Sequence, residues 1–372
     1  MNSVIRAPYI ILAAGGTGGH MMPAEAVADA LLADGYEVSL VTDKRGQLIG
    51  NVMADVHRIV LGASSHMGGG LLGKIKALFS LVASTFRVRK TFRKRRPTVV
   101  VGFGGYPSLP AVMAARSMGI PYILHEQNAI LGRVNRFMAR NAHLVALSIE
   151  ATERVPEGTK TFITGNPVRQ LIAKLANIAY AVPMGFGDIR VFILGGSQGA
   201  RVLSDVVPAA AALLGEDLKQ RLDIVHQARI EDIDRVSKIY ETAGIKAQVE
   251  PYFNDVGAIL LRTQLVICRS GASTLSELSA MGRPAIMVPL AIAADNHQAA
   301  NAKIIADAGG GIVIEEPDFT PETLAQKLSA LFARMGELRD WSDGMRSVAR
   351  LDAATKLSNA IIEFCDSEGL RA

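Results

Sequence analysis

Cysteine and aromatic residues are scarce in this sequence, and each shortage argues against a class of protein. The only cysteines are Cys268 and Cys365, so the chain has no disulfide framework, and their spacing fits no cysteine metal site. We therefore expect a reducing, cytosolic environment. Aromatic residues make up 5% of the chain and form no series on which bases could stack, which disfavours binding to nucleic acid.

Long apolar runs are also missing. The run Tyr9–Ala14 is too short for the core of a signal peptide and stops at two glycines, so we interpret it as a strand. No run approaches the ~18 uninterrupted apolar residues of a membrane-spanning helix. We expect a protein that is soluble or attached to a membrane only peripherally.

The composition that remains is that of a two-domain globular protein. The chain has 372 residues, 49% of them hydrophobic and 20% charged, and it is long for a single core. Two apolar runs, Tyr9–Ala14 and Val191–Leu194, each lead into a glycine-rich turn and then a helical pattern. Such a turn presents backbone N–H groups and the positive end of a helix dipole, and glycine lets a phosphate approach closely. The repeat predicts two α/β domains facing a shared, phosphate-binding cleft.

Strand-like runs alternate with helical patterns along most of the chain, which predicts doubly wound parallel sheets. A crossing between domains is expected from residue 164 to about 187, and a last helical pattern covers roughly 345–364. The predicted strands are Tyr9–Ala14, Glu37–Val41, Thr98–Val101, Tyr122–Leu124, His143–Ala146, Arg190–Leu194, Leu222–Val225, Ala247–Glu250, Leu265–Ile267 and Pro284–Val288.

Glycine turns follow two strands of the first half, at 15–20 and 102–107. The first, Gly-Gly-Thr-Gly-Gly-His, matches neither the nucleotide-binding P-loop nor the dinucleotide fingerprint, so alone it indicates only a tight turn that could bind phosphate. His20 ends this turn. It is either a general base or a histidine that caps the helix and bonds backbone.

A polar segment, His125-Glu-Gln-Asn128, follows the strand Tyr122–Leu124, at the edge where open α/β sheets bind ligands. Glu126 is a second candidate base, and the alternative is a buried Glu–His pair with a structural role. Arg169, just past Asn166-Pro167 at the crossing between domains, could clamp a diphosphate or lie on the surface.

Two further polar segments lie in the second half. Arg269-Ser-Gly-Ala-Ser-Thr-Leu-Ser-Glu277 places Glu277 one turn into a helix, where it could accept hydrogen bonds from a ribose diol or merely complement the helix dipole. Asp295-Asn-His-Gln298 opens the next helix and could bind a sugar or cap the helix.

The helical pattern Leu71–Arg93 combines an apolar stripe with a basic end. Seven of the ten residues 87–96 are basic and none is acidic. The positive charge of this short segment alone exceeds the net charge of +5 of the whole chain. One interpretation is a core-facing helix with a solvated end, and the other is an amphipathic contact with an anionic membrane. Nucleic acid is a weaker third option. The candidate membrane patch is Ile75, Phe79, Arg93 and Arg95.

Six of these motifs, in their order along the chain, resemble the MurG family within glycosyltransferase family 28. The similarity extends from about residue 9 to residue 305. The motifs are Gly-Gly-Thr-Gly-Gly-His at 15–20, Gly-Phe-Gly-Gly-Tyr-Pro at 102–107, His-Glu-Gln-Asn at 125–128, Gly-Asn-Pro-Val-Arg at 165–169, Gly-Gly-Ser-Gln-Gly-Ala at 195–200 and Arg-Ser-Gly-Ala-Ser-Thr-Leu-Ser-Glu at 269–277.

This resemblance implies an α/β GT-B fold, with two Rossmann-like doubly wound parallel-sheet domains. Residues 1–168 would form the acceptor and membrane domain, joined by a C-terminal helix within 345–372, and residues 169–344 would bind UDP-N-acetylglucosamine (UDP-GlcNAc). The chain departs from the family pattern at His297, where relatives often carry a second glutamine. The implied UDP-GlcNAc site comprises Thr17, Gly18, Gly19, Asn128, Arg169, Ser197, Phe253, Glu277 and Gln298.

The implied reaction belongs to peptidoglycan synthesis. The 4-hydroxyl of the N-acetylmuramoyl group of lipid I would attack the anomeric carbon of UDP-GlcNAc and give lipid II, with inversion to a β-1,4 linkage. The enzyme would act at the anionic cytoplasmic face of the cell membrane, since its acceptor is a polyprenyl diphosphate. No cofactor and no metal are expected, because helix dipoles and Arg169 could stabilise the departing diphosphate.

Two rival functions fit the same residues. One is a GT-B transferase with another sugar or lipid acceptor, such as a diacylglycerol glycosyltransferase. The other is a non-catalytic module that binds nucleotide sugars, against which His20, Glu126 and Glu277 argue. Donor and acceptor panels, and turnover of UDP-GlcNAc, would separate these readings.

Overall fold

The computed structural model describes residues 7–16, 18–46, 56–62, 71–183, 185, 187–196 and 199–367. The chain forms two compact units. One holds the described residues up to Arg169 together with those from Arg350 onward, and the other is Gln170–Ala349. Thr17 and Ser197, both expected at the UDP-GlcNAc site, lie outside the described residues.

The first unit is built on a seven-stranded parallel sheet with strand order β3-β2-β1-β4-β5-β6-β7. The order reverses direction between β1 and β4, which makes the carboxyl ends of these two strands the topological switch point of the sheet. Its elements are β1 (Tyr9–Ala13), α1 (Gly18–Ala33), β2 (Glu37–Asp43), β3 (His57–Leu61), α2 (Leu71–Lys94), β4 (Val99–Gly102), α3 (Ser108–Ser117), β5 (Tyr122–Glu126), α4 (Arg133–Met138), β6 (Leu144–Leu147) and β7 (Thr161–Ile163).

Uninterrupted apolar strands explain why this sheet is covered on both faces. In β1, Ile10 and Leu12 belong to one buried cluster with α1, while Ile11 and Ala13 belong to another with α2 and α3. Parallel strands that are buried on both sides carry such continuous apolar runs. β1 and β4 are fully buried and pair directly, so the turns that follow them are held next to each other.

The second unit contains a six-stranded parallel sheet with order β10-β9-β8-β11-β12-β13 and a switch point between β8 and β11. One face packs α6 and α12 into a single core cluster. Its elements are α5 (Gln170–Leu175), β8 (Ile189–Leu194), α6 (Arg201–Ala212), α7 (Glu216–Arg221), β9 (Leu222–Gln227), α8 (Ile233–Thr242), β10 (Lys246–Glu250), α9 (Val256–Arg262), β11 (Leu265–Cys268), α10 (Ala272–Met281), β12 (Ala285–Met287), α11 (His297–Asp307), β13 (Gly311–Val313), α12 (Pro321–Ala333) and α13 (Glu337–Ser347).

The last helical pattern is two helices rather than the one expected over 345–364. α13 ends at Ser347 in the second unit, and α14 (Ala353–Ser367) begins in the first unit and packs on α1. Packing explains the break. Gly165 has a φ of +84°, and a Cβ there would meet the Cβ of Arg350 at 2.5 Å. Residues 165 and 350 therefore pass each other at a spacing that only glycine permits.

His226 is buried in the second unit and provides a test of this fold. Burial and, to a smaller extent, the charge of Arg235 lower the pKa of His226 to about 3, although the nearby Asp232 carboxylate acts in the opposite direction. In the unfolded chain a histidine binds a proton below about pH 6.5, so the free energy of unfolding falls as the pH drops from about 6.5. Between about pH 7.5 and about pH 5, this residue alone should cost about 2 kcal/mol.

Urea unfolding of the wild type and of His226→Leu at both pH values measures this cost. The variant loses the hydrogen bond between His226 Nδ1 and the Tyr240 hydroxyl, 2.9 Å apart, so its stability should be lower at pH 7.5. Its pH dependence should be smaller by about 2 kcal/mol. An equal loss in the two proteins would show that His226 titrates normally in the folded state.

Candidate active site

The two glycine turns of the first unit pack against each other at the switch point. Gly105 has a φ of +74°, and a Cβ on it would meet the carbonyl oxygen of Gly15 at 2.5 Å. A Cβ on Gly15 would meet Pro107 Cγ at 2.7 Å. The N–H of Gly16 donates to Asp43 Oδ1 at 3.1 Å, which ties the first turn to the end of β2. The glycines are thus needed for close backbone approach, whatever ligand is bound.

His20 lies in the first turn of α1, against the second glycine turn. A Cβ on Gly104 would come within 3.1 Å of the His20 ring, so that glycine makes room for the imidazole. His20 Nδ1 lies 3.3 Å from Gln127 Oε1, beyond the end of β5. Gly18, Gly19 and His20 therefore stand where β1, β4 and β5 end, as the sequence predicted.

Glu126 serves as an anchor for the loop that follows β5. Its Oε1 accepts from the N–H and the Nδ2 of Asn128, at 3.1 and 3.0 Å. Its Oε2 accepts from the N–H of Gly132 at 2.8 Å and from Asn135 Nδ2 at 2.9 Å. The residue is 2% exposed. A carboxylate with four donors is already committed to the protein, and this geometry favours the structural interpretation of Glu126 over a role as base.

The remaining two residues of the segment are buried and hydrogen-bonded to each other. Gln127 Nε2 donates to the carbonyl oxygen of Phe103 at 2.8 Å and lies 3.0 Å from His125 Nδ1. His125 Nε2 lies 3.2 Å from the carbonyl oxygen of Gly165. Burial lowers the pKa of His125 to about 4, so the ring is neutral at pH 7.

Sequence reasoning gave no role to Gln127 and missed Asn135 entirely. Asn135 lies on α4, is buried, and bonds both the carbonyl oxygen of His125 at 3.1 Å and Glu126. No local pattern marks it, because its partners come from another element.

The second unit repeats the arrangement at its own switch point. A Cβ on Gly195, just after β8, would meet the N of Ala200 at 2.4 Å, so this turn too depends on glycine. α6 then begins at Arg201. After β11, α10 begins at Ala272, and its Ser273 and Glu277 are both buried one turn apart. Two helix N-termini therefore lie at the carboxyl ends of adjacent strands, where anions bind.

Arg269 is a structural residue of this region. Its Nη1 donates to the carbonyl oxygens of Val288 and Pro289, both at 3.1 Å, and lies 2.7 Å from Glu316 Oε2. The guanidinium thereby joins the end of β11 to the loop after β12.

Gln298, in the first turn of α11, and Phe253, in the loop after β10, both follow the carboxyl ends of strands in the second sheet. Gln298 Oε1 accepts from the N–H of Leu290 at 3.0 Å, so its carbonyl end holds the preceding loop. Asp295 and Asn296, just before α11, both have positive φ, of 55° and 58°. Such backbone strain in non-glycine residues tends to occur at binding sites. Phe253 is buried edge-on against Phe192, with ring centroids 5.8 Å apart.

The apolar residues of α2 named as a membrane patch are exposed. Phe79 is 71% exposed and Ile75 44%, and Val82 and Phe86 lie on the same face because a helix turns about 100° per residue. The opposite face, with Val88 and Phe92, is buried in the first unit. The interpretation of the stripe as ordinary core is therefore wrong.

Three of the basic residues at and just beyond the end of α2 have different surroundings. Arg93 is exposed on the face that carries the apolar stripe. Arg95 forms an ion pair with Glu37 and stacks over the Tyr9 ring at 4.0 Å, and Arg96 donates to the carbonyl oxygen of Met118 at 3.0 Å. Arg95, which the sequence placed in the membrane patch, is thus held against β1 and β2 by Tyr9 and Glu37, away from the apolar stripe.

Two features are absent from the part of the chain that the structure describes. None of its helices is long and apolar enough to cross a membrane. Its histidine, cysteine, aspartate and glutamate side chains form no group of three that could hold a metal ion.

This chain has two Rossmann-like parallel-sheet units, each with a glycine turn and helix N-termini at its switch point. This architecture is that of the GT-B class of proteins. Family models agree. The glycosyltransferase family 28 N-terminal domain matches residues 10–147, and the glycosyltransferase family 28 C-terminal domain matches residues 190–347. The chain belongs to glycosyltransferase family 28.

Individual relatives are similar over nearly their whole length. A protein of Granulibacter bethesdensis, named UDP-N-acetylglucosamine–N-acetylmuramyl-(pentapeptide) pyrophosphoryl-undecaprenol N-acetylglucosamine transferase, is 48% identical over 364 residues, covering 96% of this chain and 94% of the relative. The crystal structure of Acinetobacter baumannii MurG has a TM-score of 0.75 at 28% identity, covering 96% and 99%. A UDP-N-acetylglucosamine 2-epimerase structure from Listeria monocytogenes, at 15% identity and a TM-score of 0.68, covers 97% of both chains and shares the fold alone.

Proposed function

We propose that this chain transfers N-acetylglucosamine from UDP-GlcNAc to the 4-hydroxyl of the N-acetylmuramoyl group in undecaprenyl-diphosphate-N-acetylmuramoyl-pentapeptide, lipid I. The product is lipid II, with a β-1,4 linkage formed by inversion, in peptidoglycan synthesis. The observation that carries this proposal is the 48% identity, over nearly the whole chain, to a relative named for that reaction. Four of the six motifs, those at 15–20, 102–107, 195–200 and 269–277, follow the strands on either side of the two switch points, so far as they are described.

The second unit is proposed to bind the donor. The departing UDP carries two phosphates, and the N–H groups at the starts of α6 and α10 are suited to stabilise its developing charge. Arg169 is proposed to pair with the diphosphate and Glu277 with the ribose diol. The other proposed donor contacts are the backbone of Phe253 to uracil, the amide of Gln298 to the sugar, and Thr17, Gly18, Gly19, Asn128 and Ser197.

His20 is the proposed general base. It removes the proton of the acceptor hydroxyl while that oxygen forms a bond to the anomeric carbon, and the bond to the diphosphate oxygen breaks on the opposite side. This choice is supported by the position of His20 at the switch point of the first unit and by the four hydrogen bonds that occupy Glu126.

The exposed face of α2 is proposed to attach the enzyme to the anionic cytoplasmic leaflet of the cell membrane. Phe79, Val82 and Phe86 would enter the interface, and Lys90 and Arg93, further along the same face, would pair with lipid headgroups. The acceptor is anchored in that leaflet by its polyprenyl chain, so attachment brings the enzyme to its substrate. We expect no nucleic-acid partner, since the exposed face is apolar as well as basic.

Replacing Lys90 and Arg93 with glutamine should release the enzyme from vesicles containing anionic lipid. Each basic residue near such a surface contributes about 1 kcal/mol, so the pair should weaken binding roughly 30-fold at low salt. Turnover of a short-chain, water-soluble acceptor should not change. Co-sedimentation with vesicles over a salt series measures the effect.

The matched control replaces Lys327 and Arg339 with glutamine. Both are exposed in the second unit, and the change in net charge is the same. If the control weakened binding as much as the α2 variant, the effect would be one of overall charge. If neither variant did, α2 would not be the attachment site.

Substrate panels test the proposed function itself. The purified enzyme should turn over UDP-GlcNAc with a lipid I analogue, and should discriminate against UDP-glucose and against diacylglycerol as acceptor. Efficient transfer to diacylglycerol would identify the rival transferase, and binding of UDP-GlcNAc without turnover on any acceptor would identify a non-catalytic module.

A further inference from the structure

Gln127 connects the candidate base to the buried core of the first unit. Its Oε1 faces His20 Nδ1 at 3.3 Å, and its Nε2 is held by Phe103 and His125 on the other side. We propose that Gln127 is a positioning residue that keeps the proton of His20 on Nδ1, so that Nε2 is the nitrogen that accepts the proton of the acceptor hydroxyl. This inference rests on the proposed role of His20 as base.

The orientation of the Gln127 amide is fixed by a carbonyl. The carbonyl oxygen of Phe103 can only accept, so the amide atom 2.8 Å from it is the nitrogen. The oxygen must then be the amide atom that faces His20. Because an amide oxygen only accepts, the His20 nitrogen nearest to it, Nδ1, is the one that carries hydrogen.

His125 supports the same orientation from the other side. Its Nε2 lies 3.2 Å from the carbonyl oxygen of Gly165, which requires a hydrogen on Nε2. Since burial lowers the pKa of His125 to about 4, the neutral ring has no second hydrogen, and its Nδ1 accepts from Gln127 Nε2 at 3.0 Å. Two backbone carbonyls thus define the donor and acceptor of every link from Gly165 to His20.

The tautomer of His20 determines the path taken by the proton of the acceptor hydroxyl. The O–H proton of the acceptor moves to His20 Nε2 as the O–H electron pair forms the bond to the anomeric carbon, and UDP leaves with the pair of the broken bond. Nδ1 donates to Gln127 Oε1 both before and after this transfer, so the ring need not turn. A neutral amide fixes the tautomer without adding a negative charge beside the diphosphate.

Nitrogen-15 NMR of the histidine side chains tests this directly in the wild-type enzyme. The two ring nitrogens of a neutral histidine differ widely in chemical shift according to which carries hydrogen, and the His20 signals are assigned by their loss in His20→Ala. We expect Nδ1 to be protonated and Nε2 unprotonated above the titration of the ring. The opposite assignment would overturn the proposal without any variant having to fold.

Two variants at position 127 separate positioning from packing. Gln127→Leu removes the acceptor, so the His20 tautomers should mix, and kcat should fall roughly 10- to 100-fold while the KM for UDP-GlcNAc stays unchanged. Gln127→Glu keeps an oxygen acceptor toward His20 and should recover the Nδ1–H tautomer, but only part of kcat, because its second oxygen cannot donate to the carbonyl oxygen of Phe103. Unchanged kcat and tautomer in Gln127→Leu would contradict the proposal.

The matched control is Gln264→Leu. Gln264 also uses its Oε1 as a structural acceptor, for the N–H of Arg190 at 2.9 Å, but at the start of β11 in the second unit. This variant should lose stability and keep kcat. The experiments distinguish a failure of the proposed base from a failure of the positioning role. An unaffected kcat in His20→Ala would show that His20 is not the base, whereas the NMR of the wild type reports the His20 tautomer independently of that result.

Discussion

Replacing His20 with alanine should lower kcat by about 10²–10⁴-fold, the usual cost of losing a general base. The KM for UDP-GlcNAc should change much less than kcat, because His20 is proposed to act on the acceptor hydroxyl and its side chain is not among the proposed donor contacts. The hydroxyl of the acceptor would then have to lose its proton to water, while the diphosphate would still be stabilised as before.

Steady-state kinetics with a water-soluble lipid I analogue measure this loss, and His57→Ala is the matched control. His57 is exposed at the start of β3 and should be dispensable. A His20→Ala enzyme with nearly normal kcat would mean that His20 only packs against the second glycine turn. Glu126 would then have to be reconsidered, in spite of its four hydrogen bonds.

Replacing Glu277 with alanine should raise the KM for UDP-GlcNAc by roughly 10- to 100-fold. A hydrogen bond to a charged group contributes about 1.5–3 kcal/mol, and Glu277 is proposed to bond the ribose diol. Glu277→Gln keeps one acceptor oxygen and should show a smaller increase. Donor KM and kcat should be measured together with the thermal midpoint of each variant.

Glu322→Ala separates binding from the effect of the helix dipole. Glu322 lies in the first turn of α12, where an acid also complements a helix N-terminus, but this helix has no proposed ligand. If Glu277 only stabilised α10, its replacement would lower the thermal midpoint, as in Glu322→Ala, with no change in donor KM. That result would remove Glu277 from the donor site.

The central strands were predictable from sequence because they are buried on both faces. β1 and β4 are short, continuous apolar runs. A strand covered on both faces of a sheet is the element that buries every residue of such a short run. The strands β3, β7 and β13 were missed for the opposite reason. They lie at the edges of the sheets and are short or mixed in polarity, with β7 only three residues long and largely exposed.

The break between α13 and α14 could not be predicted locally. Residues 348–352 contain neither glycine nor proline, and the helical periodicity continues through them. At the break the chain packs closely against a distant residue, Gly165, which lies beside Arg350 and Ala353. Tertiary contacts of this kind override helix propensity.

Sequence predicted where the candidate site lies better than what each residue does. The glycine turns could be assigned to the carboxyl ends of strands, because strand–turn–helix units place them there. The roles of Glu126 and Gln127 depend on hydrogen bonds to Asn135 and Phe103, which lie on other elements. Arg95 likewise belonged to a basic run whose members looked alike until Glu37 and Tyr9 were found beside it.

The most direct test of the account is the identity of the bond that the enzyme forms. The purified chain is incubated with UDP-GlcNAc and a short-chain lipid I analogue, and the linkage in the product is determined by NMR. The account predicts a single product in which N-acetylglucosamine is joined β-1,4 to the N-acetylmuramoyl residue, with one UDP released for each linkage. An α linkage, transfer to another position, or release of UDP without a disaccharide product would contradict it.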